Sequence, residues 1–358
     1  MKTVKGISVK ESSRYGAHAW LAISYLFLSM TIMAQEKSET LFNDSAPLDI
    51  ALTISVRAIK KTKGDTSYIG HRLYYRNAAG LMDSVHAGLR ARGNSRMDIC
   101  YFPPLWIKMG KSQAKGTLFE GNRKLKLVLP CLNRSESNDL ILREYLCYKL
   151  YEVVSNYAFK TRLVNVDLTE VLRNKRKTYQ QKGILIEDVK KTAERFDAKP
   201  LNDTRINVTA LRDTMALRFD LFQYMIANTD WSQNLQHNSK LIYRQQTVIA
   251  IPYDFDMSGL VNASYAVVSQ VNGEQLPIQS VTDRFYKGYC QPEGVTEFVR
   301  KEFVSNEQTF MSVPDEVNGQ LTEKEIDDVK SYLSEFFVIL KDDDLFRNRI
   351  LLKCQSLH

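Results

Sequence analysis

The stretch IPYDFDMSG, residues 251–259, sets Asp254 and Asp256 on either side of Phe255 at the end of an apolar run. Carboxylates in such a place are costly unless a cation, a donor or a substrate meets them. Two polar residues precede them in a loop: Asp230, in IANTDWS, and Asn238, eight residues on. A carboxylate that accepts or orients a substrate hydroxyl, with an Asn and an Asp that hold a hard cation, is the set phosphoryl transfer needs. Magnesium takes oxygen ligands, usually one or two carboxylates, and phosphates complete its shell. Asp256 either shares that cation or caps the following turn. Any one of these residues is as readily a turn or cap residue. Their order around a hairpin is what points to chemistry.

The elements that would position them follow from periodicity. Residues 48–59 (LDIALTISVRAI) read as a strand. HRLYYRNAAG and SVHAGLRAR continue as strands around a turn at Asn77–Gly80. FPPLWIKM (102–109) and KLKLVLP (124–130) extend the β-rich region. Ser137-Asn138-Asp139 then opens a helix with apolar residues at helical spacing, Leu142, Tyr145, Leu146, Leu150 and Val153. Residues 159–171 and 182–189 return to strand patterns, and 208–227 reads as a long helix. SKLIYR and TVIAIP form a hairpin across a Gln-Gln turn, which brings Asp254 close to Asn238. After Ser264 the pattern is mainly helical. This order predicts an α+β protein of two lobes, a β-rich N-lobe with one helix (48–187) and a helical C-lobe (188–358), joined near 187–200. A cleft between lobes is where a ligand would bind.

Residues 1–34 stand apart. Lys2, Lys5, Lys10 and Arg14 precede the uncharged, largely apolar run 17–34, which ends Ile32-Met33-Ala34 before polar QEKSE. That is the layout of a signal peptide cleaved near Ala34, with an uncleaved N-terminal anchor as the weaker reading. Residues 35–47 read as a polar linker. An exported, periplasmic or extracellular protein follows, with no stable membrane span after cleavage. The net charge is +8, and +5 without residues 1–34. No dense basic stripe interleaved with aromatics appears, which argues against nucleic acid as a partner. Cys100, Cys131, Cys147, Cys290 and Cys354 form no CxxC and lack zinc spacing. Export permits disulfides; Cys100–Cys131 is the first expected pair, and Cys147, inside a helical pattern, the expected buried thiol.

IANTDWS…HN followed by IPYDFDMSG resembles the loop pair of atypical kinases of the spore-coat CotH type and, more distantly, of HipA and the secretory-pathway kinases. RARGNSR (90–96) is similar to the RGNS segment of CotH-like proteins, and LREYLCYKLY (142–151) to the helix that follows it. KLKLVLPC, GILIEDV and FYKGYC also look like segments of exported bacterial proteins related to these kinases. The resemblance spans residues 48–292, and the order of its motifs carries its specificity.

It implies a two-lobed protein-kinase-like fold and a phosphotransferase that uses ATP with Mg²⁺ or Mn²⁺. Asp230 would be the catalytic-loop carboxylate. Asn238 and Asp254, with Asp256 as a further candidate, would bind the metal. Arg92, Gly93, Asn94 and Ser95 would form the turn over the phosphates. A strand lysine, Lys126 or Lys108 with Lys126 favoured, would hold phosphate and pair with Glu144. Glu187 would sit at the hinge near the adenine. The chain departs from the kinase pattern in three places: one glycine in the turn, a longer Asp230–Asn238 gap, and Asp256 where glycine usually stands. Each residue also has a plainer role available. Lys126 could be a solvated edge lysine, Glu144 a helix-surface partner of Lys149 or Arg143, and Trp231 a packing anchor. The expectation is therefore a phosphotransferase acting on a hydroxyl-bearing protein or glycan outside the cytoplasm. The alternative is a non-catalytic envelope protein. A carbohydrate cleft of stacked aromatics is disfavoured, since Trp106 and Trp231 are the only tryptophans beyond residue 34.

Overall fold

In the computed structural model, the described residues are 40–93, 99–134, 136–202, 205–211, 213–271 and 274–356. The expected signal peptide, with its cleavage site at Ala34, and residues 35–39 of the expected linker lie outside them.

Seven strands close into a barrel: β1 (Leu48–Ile54), β2 (Ile69–Arg76), β3 (Met82–Ala91), β4 (Leu105–Lys108), β5 (Lys124–Val128), β6 (Thr161–Val171) and β7 (Arg176–Glu187). Their order around the barrel is β1-β2-β3-β4-β5-β7-β6. Neighbours are antiparallel except β1 and β6, which pair in parallel from Leu48↔Val164 to Ile54↔Glu170 and shut the sheet. Alternation along each strand sends one set of side chains inward. Leu52, Leu73, Leu89, Ile107, Leu125, Leu127, Val166 and Leu185 fill that interior.

The expected two-lobed, kinase-like fold is therefore corrected. Periodicity of two identifies a strand and its buried face, but not its partner. The parallel β1–β6 closure joins residues more than a hundred apart, which no local pattern records. The segment near 187–200 is not a link between lobes either. It forms α4 (Val189–Arg195) and β8 (Lys199–Leu201), and Glu187 and Asp188 ahead of them are buried. The earlier helices are α1 (Val56–Lys60), α2 (Lys111–Ala114) and α3 (Ser137–Val154). The strand expected over 48–59 thus ends at Ile54, where Ser55 accepts a capping hydrogen bond from Ala58 N. Part of the expected linker is packed: Leu41 is buried, and Arg162 donates to the carbonyls of Leu41 and Ala46 at 3.0 Å each.

Outside the barrel, β9 (Ser239–Arg244) and β10 (Thr247–Pro252) form the expected hairpin, and β8 adds to β9 as a third strand. Gln245 and Gln246 both have positive φ, the backbone of a tight two-residue hairpin turn. The helix expected over 208–227 is α5 (Asp213–Met225), preceded by a 3-10 turn at Val208–Ala210. Helices resume only at α6 (Glu293–Ser305), followed by α7 (Glu307–Ser312), α8 (Glu323–Lys341) and α9 (Asp343–Arg349). Among the described residues no helix is long and apolar enough to cross a membrane. A second core joins α3, the outer wall of the barrel and the later helices through Tyr151, Phe222, Phe255, Phe303 and Phe336. Cys100 bonds to Cys131 as expected, Cys290 bonds to Cys354, and Cys147 is a buried free thiol.

Phe255, the aromatic between the two acids, is the bolt of this second core. Its ring centroid lies 4.7 Å from that of Tyr148 on α3 and 5.4 Å from that of Phe222 on α5. Phe255→Ala is expected to cost about 3–5 kcal/mol of stability, measured by chemical denaturation.

Candidate functional site

Lys126 lies between Leu125 and Leu127, whose side chains point into the barrel, so its own side chain faces outward. It is nevertheless 3% exposed. Its Nζ lies 4.0 Å from the ring centroid of Tyr253, 4.8 Å from Phe159 and 5.8 Å from Trp106. Trp106 is its register partner across β4 and β5. The amine is buried and has no hydrogen-bond partner among the described residues. Burial pushes its pKa well below the usual lysine range, and the charges of Arg92 and Lys240 push the same way. Asp254 and Asp188 pull it back upward. Asp188 already serves Lys124 at 2.9 Å and caps α4 through Lys190 N. Burial and the two neighbouring cations thus disfavour the charged form of this amine, and an anion placed among them would favour it.

The Asp230 loop forms the second half. Asp230 Oδ1 is 2.7 Å from His237 Nε2, and Asn238 Nδ2 donates to Asp230 Oδ2 at 2.9 Å and to its carbonyl at 2.8 Å. Asn228 Oδ1 accepts from Asp230 N at 3.0 Å, and Ser232 and His237 exchange backbone hydrogen bonds. These bonds fix the direction of the Asp230 carboxylate, which remains partly exposed. The hydrogen bond to Asp230 raises the His237 pKa against the effect of burial.

Asp254 connects the two halves. It follows the end of β10, has φ of 68°, and its N–H donates to Tyr148 Oη at 3.0 Å. Its charge is felt both at Lys126 and at His237. Asn238, with φ of 47°, stands across the end of the same hairpin, where its carbonyl accepts from Tyr253 N at 3.0 Å. Two non-glycine residues in the left-handed region at one hairpin mouth store strain of the kind found at binding sites.

The remaining expected residues divide. Arg92, at the end of β3, belongs to the Lys126 neighbourhood and lies 5.8 Å from the Trp106 ring. Gly93 follows it with φ of 86°, as a tight turn requires. Asn94 and Ser95 lie outside the described residues. Lys108 is exposed and sits 5.4 Å from the Tyr68 ring, away from this cluster. Glu144 is buried beside Tyr148 and Cys147, but it does not pair with Lys126. Glu187 is a correction. Arg195 donates to both its carboxylate oxygens at 2.9–3.3 Å, and Thr192 Oγ1 donates at 3.0 Å. A carboxylate ending a strand looks the same in sequence whether it meets a ligand or an arginine eight residues on. Asp256 is buried, and Asp254 rather than Asp256 is the acid of this segment felt at Lys126 and His237.

Sequence reasoning did not find Tyr148 or Lys240. Tyr148 lies one helical turn after Glu144, and a tyrosine on an apolar face carries no mark of its partner. Lys240 alternates with apolar residues along β9 like any solvated strand lysine.

The donor set suits a hard divalent cation. Asn238 commits its Nδ2 to Asp230, which leaves Oδ1 as its oxygen donor, and Asp254 supplies a carboxylate. Among the described residues no three His, Cys, Asp or Glu side chains converge as a metal cluster. Two protein oxygens with phosphates completing the shell is how Mg²⁺ is usually held. No family model matches the chain, and no curated protein matches its sequence.

His237 provides a direct check on the loop. In metal-free protein its imidazole should titrate above 6.5, and Asp230→Asn should return it toward that value, followed by ring NMR. The sign for stability follows. A histidine raised on folding contributes fully below its unfolded pKa of about 6.5, and the contribution disappears as pH rises through the folded value.

Proposed function

We propose that the chain transfers the terminal phosphoryl group of a nucleotide such as ATP to a hydroxyl on a protein or glycan. The observation that carries this reading is the Lys126 amine, buried with no hydrogen-bond partner among the described residues, flanked by Arg92 and Lys240 and drawn by Asp254. A buried charge left without a counter-ion is costly. A bound anion would neutralise it. Lys126 and Arg92 would hold phosphate oxygens. Asp230, oriented by His237 and Asn238, would accept the proton of the acceptor hydroxyl as that oxygen bonds to phosphorus. The bond from phosphorus to the bridging oxygen then breaks, and a nucleoside diphosphate leaves. Asp254 and Asn238 Oδ1 would hold Mg²⁺ or Mn²⁺, which neutralises phosphate charge when bound. The order of the motifs resembling CotH-like proteins supports the same chemistry.

The signal-peptide layout supports action outside the cytoplasm, in the periplasm or beyond. Two disulfides fit an oxidising compartment. The second reading is an envelope protein that binds anions without turnover. The observation favouring it is that Glu144 does not pair with Lys126.

Calorimetry with Mg·ATP and a nucleoside-diphosphate release assay separate the readings. Lys126→Met should abolish binding while leaving stability unchanged or higher, by about 1 kcal/mol or more. Asp230→Asn should keep binding and lower turnover by about 10²-fold or more. Binding that survives Lys126→Met sinks the assignment of the phosphate site. Binding with no release in the wild type selects the second reading.

A further inference from the structure

FYKGYC, residues 285–290, takes no part in the reaction as described, yet it is built into the Asp230 loop. Lys287 Nζ donates to the carbonyl of Thr229 at 2.5 Å and to that of Trp231 at 3.1 Å, the residues on either side of Asp230. It also lies 5.1 Å from the Trp231 ring centroid. Two residues on, Tyr289 N donates to Asp220 Oδ2 at 3.3 Å. Asp220, buried on α5, accepts at Oδ1 from Gln233 Nε2 at 2.7 Å, which reaches the far side of the same loop. Gly288 passes so close to Asp220 and Tyr286 that any Cβ there would collide with both.

The C-terminal tail holds this segment in turn. Cys290 is bonded to Cys354. Cys290 N donates to Gln355 O at 2.9 Å, Gln355 N donates to Gly288 O at 2.9 Å, and Gln355 Nε2 donates to Lys287 O at 3.1 Å.

We propose that Lys287 is the positioning residue of Asp230, and that the Cys290–Cys354 disulfide keeps it in place. One ammonium bridging the Thr229 and Trp231 carbonyls holds the 229–230 peptide plane, which carries Asp230 N, and the 231–232 plane one residue beyond, so the backbone on both sides of Asp230 is pinned. Its donors are directed at the main chain, so it acts through Asp230 and not on the acceptor. Burial brings the Lys287 pKa down to about 8, while Asp230 and Asp220 favour its charge. It is thus mostly charged at neutral pH. The role of Asp230 rests on the phosphotransfer reading above; the bridge to its loop does not.

The test uses the full chain and follows amide hydrogen exchange in the 228–238 loop. Lys287→Met removes both donors, and loop protection should fall about tenfold or more, with barrel strands unchanged. Lys287→Arg, which can again donate to two carbonyls, should restore much of it. Cys290→Ser/Cys354→Ser should loosen the loop in the same way, with Cys100–Cys131 left intact. If the chain turns over nucleotide, Lys287→Met should lower kcat and leave the nucleotide KM unchanged, because Lys126 and Asp254 are untouched. Unchanged loop protection in Lys287→Met overturns the proposal. So does a uniform loss across the barrel, which would make Lys287 a general element of stability. A loosened loop in a protein without phosphotransfer would retain the bridge and overturn only the reaction.

Discussion

A lysine amine enclosed by Tyr253, Phe159 and Trp106 has to be accommodated against the outer wall of the barrel. Desolvation opposes its charge, and Arg92 and Lys240 oppose it further. Aromatic faces offset part of that penalty through their quadrupoles. Asp254 and Asp188 favour the charge, yet the net effect keeps the pKa well below the usual lysine range. Several elements converge on this point. The hairpin brings Asp254 to the wall, Tyr148 on α3 holds its backbone, and Phe255 drives the next side chain into the second core. Barrel, hairpin and helix α3 meet around this amine.

The same convergence separates what sequence could disclose from what it could not. Strand faces were legible because alternation is local: Leu125, Lys126 and Leu127 already say which side is inside. The hairpin was legible because Asn238 and Asp254 bracket two apolar runs with a polar turn between them. Closure of the barrel was not, because β1 and β6 meet through a register that only long-range packing selects. Glu187 misled for a chemical reason, since the arginine that occupies it lies on the following helix and reads as an ordinary surface residue.

Burial and pairing also redistribute the roles expected of charged residues. Lys108 and Lys126 sit on adjacent strands and look alike in sequence, yet one is exposed and the other is not. The difference comes from β10 and its continuation, which cover the wall over Lys126 with Tyr253. Glu144 and Glu187 are both buried acids, yet neither meets Lys126. The acid that does influence it comes from the hairpin, not from the helix.

The hairpin mouth shows how a short sheet can bring two oxygen-bearing side chains to one end. Ser239 and Pro252 are the last register pair, and Tyr253 N still bonds to Asn238 O beyond it. In an extended continuation the next side chains would alternate between faces. Left-handed backbone at Asn238 and at Asp254 breaks that alternation on both strands. The strain is held by Tyr148 on one side and by the Asn238–Asp230 hydrogen bonds on the other. A glycine at either position would adopt the same backbone without strain. Asparagine and aspartate are the side chains that tolerate this region best and also carry oxygen donors. Their presence at both positions is therefore consistent with a backbone geometry and a ligand chemistry required at the same two residues.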